Sequence, residues 1–467
     1  MSTIGRRSFL KTAAAAGGGG LALAGPLQAF AAGGAGATAA HGDDRGRGHG
    51  HGHGRRDDYG PIRPTADRTT GKRLLALPEG FTYWSLSELG TPMSDGLATP
   101  PSHDGMAAFK WGRKIRLVRN HEVRGAAAAF GPADLAYDTG AGGGNTIIEF
   151  DPQRPTRSRV FGALSGTSTN CAGGRTPWDS WLTCEETVEV LGKPHGYVFE
   201  VPAGAERFKK ATPIKSMGRF AHEAVAVEPD TRIVYLTEDA GVSSGLYRHV
   251  PHNRHKPLAG GKLQMLKVVG QDNVNLGTTY EPGTRFRIEW VTIDQPDPDL
   301  AGGAPTVFQQ GAAKGGANFS RLEGASWSDD ENALYFNSTD GGAALSGQVW
   351  AWYRSRGKEY VELVYESPSS DVLLKPDNLT VSPKGGILLC EDTDRARQTF
   401  LRGVNGDGDL YDFAANIREG TIPGGTVPAS WDEFAGATFL GDWLFVNIQT
   451  PGVTLAITGP WHRGPLG

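Results

Sequence analysis

Acidic residues recur where short apolar runs end. Glu185-Glu186 closes Trp181-Leu182-Thr183-Cys184, Glu238-Asp239 closes Ile233-Val234-Tyr235-Leu236-Thr237, Asp340 follows Leu334-Tyr335-Phe336-Asn337-Ser338-Thr339, and Glu391-Asp392 closes Ile387-Leu388-Leu389-Cys390. Two more acids each follow a histidine, in Asn120-His121-Glu122 and Ala221-His222-Glu223-Ala224. A single acidic doublet usually just solvates a turn. Several in one repeat register, on apolar strands, argue for a shared site. Carboxylates that converge need a counter-ion, and hard divalent or trivalent cations are the usual one. Neighbouring strand residues point to opposite faces, so one acid of each doublet is expected to reach that site.

Three cysteines permit at most one disulfide. Cys184 and Cys390 end apolar runs, where cysteine is usually a small buried residue. Cys171 lies in Thr169-Asn170-Cys171-Ala172-Gly173-Gly174, a stretch of small residues in which the backbone could come close to a ligand.

The elements that must position these groups are short strands in pairs joined through Gly. The pairs are 115–120 with 145–148, 181–186 with 196–201, 233–239 with 245–248, 334–340 with 347–350, 387–392 with 399–402 and 444–448 with 455–457. Their alternating or wholly apolar pattern over four to eight residues is that of strands. Neighbouring units recur every roughly 50 to 65 residues, the length of a propeller blade. The expected fold is all-β: a β-propeller of about six blades, whose strand ends converge on a central channel. Two β-sandwiches are the alternative, but no composition break divides the chain. Stretches 124–144, 250–285 and 294–320 read as insertions, the first and last as Gly/Ala-rich loops over one face.

Composition agrees. With 67 Gly and 29 Pro in 467 residues the chain is turn-rich, and 11 Trp and 19 Phe supply a sizeable core. Taking Arg6, Arg7 and Lys11 from a net charge of −4 leaves −7 beyond residue 31, which argues against nucleic acid as a partner. Arg6-Arg7-Ser8-Phe9-Leu10-Lys11, an Ala/Gly/Leu stretch and Ala29-Phe30-Ala31 read as a twin-arginine signal over 1–31. Residues 32–60, with His41, His49, His51 and His53, read as a flexible Gly/His-rich linker, and 61–467 as the catalytic propeller. No later segment approaches the roughly 18 apolar residues of a membrane span. The expectation is a monomer exported through the twin-arginine machinery to the periplasm, the cell surface or the medium.

Two motifs are set aside. Gly241-Val242-Ser243-Ser244-Gly245 has the spelling of a nucleophile elbow, but a strand follows it where a helix is required. Asn405-Gly406-Asp407-Gly408-Asp409 opens like a calcium loop, yet Leu410 and Asn416 stand where Gly and a bidentate Glu belong, so it reads as a hairpin turn.

Asn170-Cys171-Ala172-Gly173-Gly174-Arg175-Thr176-Pro177-Trp178, with Trp181–Glu186 after it, resembles the central signature of the PhoX-type alkaline phosphatases. Gly218-Arg219-Phe220-Ala221-His222-Glu223, Arg321-Leu322-Glu323-Gly324, Tyr365-Glu366-Ser367-Pro368, Pro376-Asp377-Asn378, Leu389-Cys390-Glu391-Asp392 and Glu433-Phe434-Ala435-Gly436-Ala437-Thr438-Phe439 continue it in order. The resemblance implies a propeller that binds iron and calcium at the channel mouth and hydrolyses phosphate monoesters by a metal-bound oxygen nucleophile. Carried across, Cys171 would be the thiolate on iron and Glu223 and Glu323 cluster ligands. Glu185, Glu186 and Asp392 would serve calcium, Glu122, Asn145 and Asp340 would complete the shell, and Arg321 would hold phosphate oxygens. Leu322 stands where the family has Pro, Trp178-Asp179-Ser180-Trp181 departs from the Trp-Gly-Thr order, and the chain is shorter than better-known members. The alternatives are a calcium-dependent propeller hydrolase of another ester class, such as a phosphodiesterase or lactonase, and a non-catalytic binding propeller stabilised by calcium.

Overall fold

A computed structural model describes residues 58–422 and 425–467. The signal reading and most of the linker reading lie outside the described residues. Tyr59, placed in the linker above, is buried against Phe81, Phe413 and Trp461, so the packed chain reaches back at least this far.

The fold is an all-β propeller of six blades. Its innermost strands, His103–Trp111, Asn170–Arg175, His222–Val227, Leu322–Ser328, Pro376–Val381 and Phe434–Leu440, stand side by side in a closed ring around the channel. Each leads an antiparallel blade whose second and third strands are the pairs expected from the sequence. Blades three and four merge into one nine-stranded sheet, because Arg285–Thr292 pairs with Gly261–Val268 on one side and Lys358–Glu366 on the other. The 250–285 stretch is therefore no simple insertion. Leu263, Met265, Leu266 and Val268 are buried, and the apolar surface they remove from water makes 261–268 the outer strand of blade three.

The ring is closed by the chain's own beginning. Thr82–Glu88 pairs with Val453–Thr458 as the outer strand of blade six, and Leu75–Pro78 extends blade five beside Leu410–Asn416. Buried apolar side chains form six clusters, one at each junction between blades, such as Phe109, Ile147, Phe161 and Phe199 between blades one and two. Removing a side chain from such a junction leaves a cavity that costs about 2–5 kcal/mol.

The innermost strands are poor in large side chains, since six of them meet at one axis. A Cβ on Gly174 would lie 2.0 Å from the Val225 carbonyl oxygen, and one on Gly324 2.6 Å from that of Asp377. These glycines beside Cys171 and Glu323 make room for the next blade's backbone rather than for a ligand. At one end of the channel the tails of the inner strands surround a cavity of about 1220 Å³. The acidic residues gather at the other end.

Candidate functional site

One backbone irregularity, repeated six times, builds the site. Pairing between the first and second strands slips after the first residue in blades one to five, between His103/Met106, Asn170/Gly173, His222/Val225, Leu322/Ala325 and Pro376/Leu379, and after the second in blade six, between Ala435/Thr438. Such a bulge redirects a side chain that regular pleating would commit to one blade face. The first bulged residues are Asp104, Cys171, Glu223, Glu323, Asp377 and Gly436. Five of the six carry a metal-binding head. The sixth has no room, because a Cβ on Gly436 would lie 2.5 Å from the Asp104 carbonyl oxygen.

A repeated hydrogen bond brings up a second ring. The N–H of the residue that follows the second strand donates to the carbonyl oxygen two residues before the bulged head: Glu122 to Ser102 (2.9 Å), Glu186 to Thr169 (2.9 Å), Asp239 to Ala221 (3.1 Å), Thr339 to Arg321 (2.8 Å) and Asp392 to Lys375 (2.9 Å). In blade six Gln449 donates to Glu433 at 3.2 Å.

The expectation that one acid of each doublet reaches the channel is met in all three doublets. Asp392 and Glu186 face the cluster, and Asp239 meets Arg321 there. Their partners turn outward and tie down the third strand. Glu185 accepts from the N–H groups of Ser168, Gly196 and Tyr197 at 2.9–3.1 Å and from His195 at 2.6 Å. Glu238 accepts from Gly245 N–H and the Tyr247 hydroxyl, and Glu391 from Leu374 and Phe400 N–H. Glu185 is therefore corrected from a calcium-side ligand to a strand anchor.

Four groups of donor atoms lie within 4.8 Å of one another: Glu122, Cys171 and Glu186; Cys171, Glu223 and Asp377; Asp377, Asp392 and Glu433; Asp104, Glu122 and Glu433. Successive groups share Cys171, Asp377, Glu433 and Glu122, so they form a closed circuit. Cys171 Sγ lies 3.0 Å from Glu223 Oε1, and the buried Glu223 Oε2 has no hydrogen-bond partner. Glu323 is ion-paired with Arg321 at 2.5 Å and stands beside this circuit, outside the four groups. Asn145 lies one layer back, donating to Asn120 Oδ1 at 2.5 Å while Asn120 donates to the Cys171 and Ala172 carbonyls. Asp340 is on the rim, 3.5 Å from Lys375 Nζ. Neither belongs to the inner circuit.

Electrostatics describe a site short of positive charge. Burial, then the charges of Glu323, Asp377 and Glu186, holds the Glu223 carboxyl well above its usual range. Asp104 and Glu433 are pushed up in the same way, and Asp377 rises to about 7 through burial and the Asp392 charge. Burial and nearby carboxylates likewise raise the Cys171 thiol. Two arginines offset part of this: Arg124 ion-pairs with Glu122 and Glu186, and Arg321 with Asp239 at 3.1 Å besides Glu323. Like charges so close ionise together only when cations sit between them. A soft thiolate beside hard carboxylates suits a mixed set, a transition metal on the sulfur side and hard cations among the oxygens. The partnerless Glu223 oxygen is what such a set would use.

The family model for alkaline phosphatase PhoX matches residues 57–452. The chain belongs to this family. No curated protein matches this PhoX chain. Among solved structures it is similar to a gluconolactonase from Xanthomonas campestris, at 14% identity and TM-score 0.39 over 87% of this chain and 100% of that one. It is also similar to a luciferin-regenerating enzyme (10% identity, 80% and 95% covered, TM-score 0.39) and to Trypanosoma rangeli sialidase (8%, 80% and 59%, 0.40).

The sequence marks Asp239 of this PhoX protein as one acid of a doublet, but does not mark Asp104, Asp377, Glu433 or Arg124 as site residues. Asp377 and Glu433 lie inside the motifs quoted above, but the first is the second residue of a strand and the other precedes one, whereas the recurring acids stand at strand ends. Asp104 is the second residue of the inner strand His103–Trp111, whose small Gly105, Ala107 and Ala108 carry little strand signal. Cys184 and Cys390 are buried thiols without a disulfide, as their apolar runs implied.

Proposed function

We propose that this chain is an exported, metal-dependent alkaline phosphatase that hydrolyses phosphate monoesters at an iron and calcium cluster in the channel mouth. The observation that carries the reading is the bulge register, which turns Asp104, Cys171, Glu223, Glu323 and Asp377 from five blades toward one axis. Cys171 and Glu223 would hold iron, and Glu186 and Asp392, with Glu122 and Glu433, would hold calcium. Bound there, the cations would neutralise the ester's charge and activate water at moderate pH.

The chain's own residues do the rest. Arg321 is partly exposed at the rim, kept charged by Glu323 and Asp239, and its planar fork suits two phosphate oxygens. Arg124 braces Glu122 against Glu186 and fixes the spacing between blades one and two. A cavity of about 300 Å³ lined by Glu122, Arg124, Asp392, Arg395, Glu433 and Gln449 gives a small ester access from this face. Export rests on Arg6-Arg7 and the apolar stretch after them, and among the described residues no helix is long and apolar enough to cross a membrane.

Elemental analysis of purified protein, alongside an aryl-phosphate assay with and without chelator, tests cofactor and reaction together. Iron and calcium in the protein with chelator-sensitive phosphatase activity is the expected result. A colourless protein with calcium alone and no such activity would overturn it.

A further inference from the structure

The carbonyl oxygens of the repeated hydrogen bond belong to Ser102, Thr169, Ala221, Arg321, Lys375 and Glu433, taken from blade one to blade six. The first three are small. The next two are the long cations Arg321 and Lys375, followed by Glu433 of the acid circuit. Both cations have positive φ, 48° in each case, which Ser102 (51°) and Thr169 (49°) share at the same position, so the left-handed backbone belongs to the repeated bulge and aims the side chain of each of these residues in the same way. The Arg321 and Lys375 side chains are 23% and 22% exposed.

The two heads are close enough to feel each other's charge, but their ion-pair partners differ. Arg321 sits between Asp239 of blade three and Glu323 of blade four, while Lys375 sits between Asp340 of blade four and Asp394 of blade five. Two cations with separate partners give the rim two places for negative charge, one at each inter-blade position.

Resting on the phosphatase reading above, we propose that Lys375 is a second anion-holding, specificity-determining residue, and that the substrates this site favours are phosphate esters carrying a second anionic group. Arg321 holds the phosphate to be cleaved. Lys375 holds the second group and sets how the ester lies across blades four and five. Both partners of Lys375 are at least partly exposed, Asp340 at 29% and Asp394 at 55%, so an entering anion competes with screened ion pairs.

The test uses two non-hydrolysable probes on the metal-loaded protein by calorimetry: propylphosphonate, with one anionic head, and propane-1,3-bisphosphonate, with two. The wild type is expected to bind the bisphosphonate about three- to fivefold more tightly, the gain of one added, partly exposed charge pair. Lys375→Gln should lose that preference while its propylphosphonate affinity stays within about twofold, and Lys375→Arg should restore it. Arg321→Ala should weaken both probes. The assignment is overturned if the wild type shows no preference, if Lys375→Gln weakens both probes equally or neither, or if neither probe binds. Probe binding in the expected pattern by a protein that hydrolyses no phosphate ester would sink the phosphatase reading and leave the role of Lys375 standing.

Discussion

Cation removal should invert the pH dependence of stability. In the protein stripped of cations, Asp377 takes its proton near pH 7, against 3.8 when exposed, because it is buried beside Asp392. Between those values the folded state holds a proton that the unfolded chain has released, so stability falls as pH rises, by 1.36 kcal/mol for each pH unit crossed, about 4 kcal/mol in all. From about pH 5 to about pH 8 this one group removes about 3 kcal/mol. Glu223, Glu323, Glu186, Asp104 and Glu433 are shifted upward too and add in the same sense. Bound cations replace those protons, and mass action then stabilises the folded state where the carboxylates are ionised. Guanidinium unfolding of chelated and metal-loaded protein at both pH values reads the effect. The chelated protein should be the less stable at the higher pH, the loaded protein should not, and Asp377→Asn should flatten the chelated slope. A chelated wild type as stable at about pH 8 as at about pH 5 would refute the premise that these carboxyls are crowded and short of charge.

The two acids of one doublet should behave oppositely. Glu185→Ala strands three buried N–H donors and should cost about 3 kcal/mol or more in thermal or denaturant unfolding, while Glu186→Ala should keep the fold and lower the calcium content found by elemental analysis. Cys171→Ala should lose iron and phosphatase activity together with its circular dichroism unchanged; full activity in that variant would remove Cys171 from the site. Arg321→Ala should raise KM for phosphate esters and weaken inhibition by inorganic phosphate, and unchanged values for both would exclude it from substrate binding.

Much of the frame is legible in the sequence, because the second and third strands of every blade carry large apolar residues between turns. Val234-Tyr235-Leu236 with Leu246-Tyr247, and Leu444-Phe445-Val446 with Leu455-Ala456-Ile457, are pairs of this kind, buried between neighbouring blades. Their repeat length is what predicts a propeller of about six blades. The two faces of a strand also separate Glu186, Asp239 and Asp392 from Glu185, Glu238 and Glu391 in principle, without saying which of each pair turns inward.

The inner ring is another matter. Asn170-Cys171-Ala172-Gly173-Gly174 reads as a loop and Leu322-Glu323-Gly324-Ala325 carries no strand signal, because crowding at the axis selects small residues and erases the hydrophobic alternation by which strands are recognised. Only ring closure shows that these segments are the first strands of their blades and that each is bulged at its second residue. By itself the sequence determined the class of fold, the recurrence of acids and the singularity of Cys171. The tertiary structure decided which acid of each doublet meets the thiol, brought Asp104, Asp377 and Glu433 into the same circuit, and set Lys375 beside Arg321. The physical reason is distance along the chain: groups from Asp104 to Glu433 become neighbours only because six junctions of buried apolar surface bend the sheet blades into a closed ring.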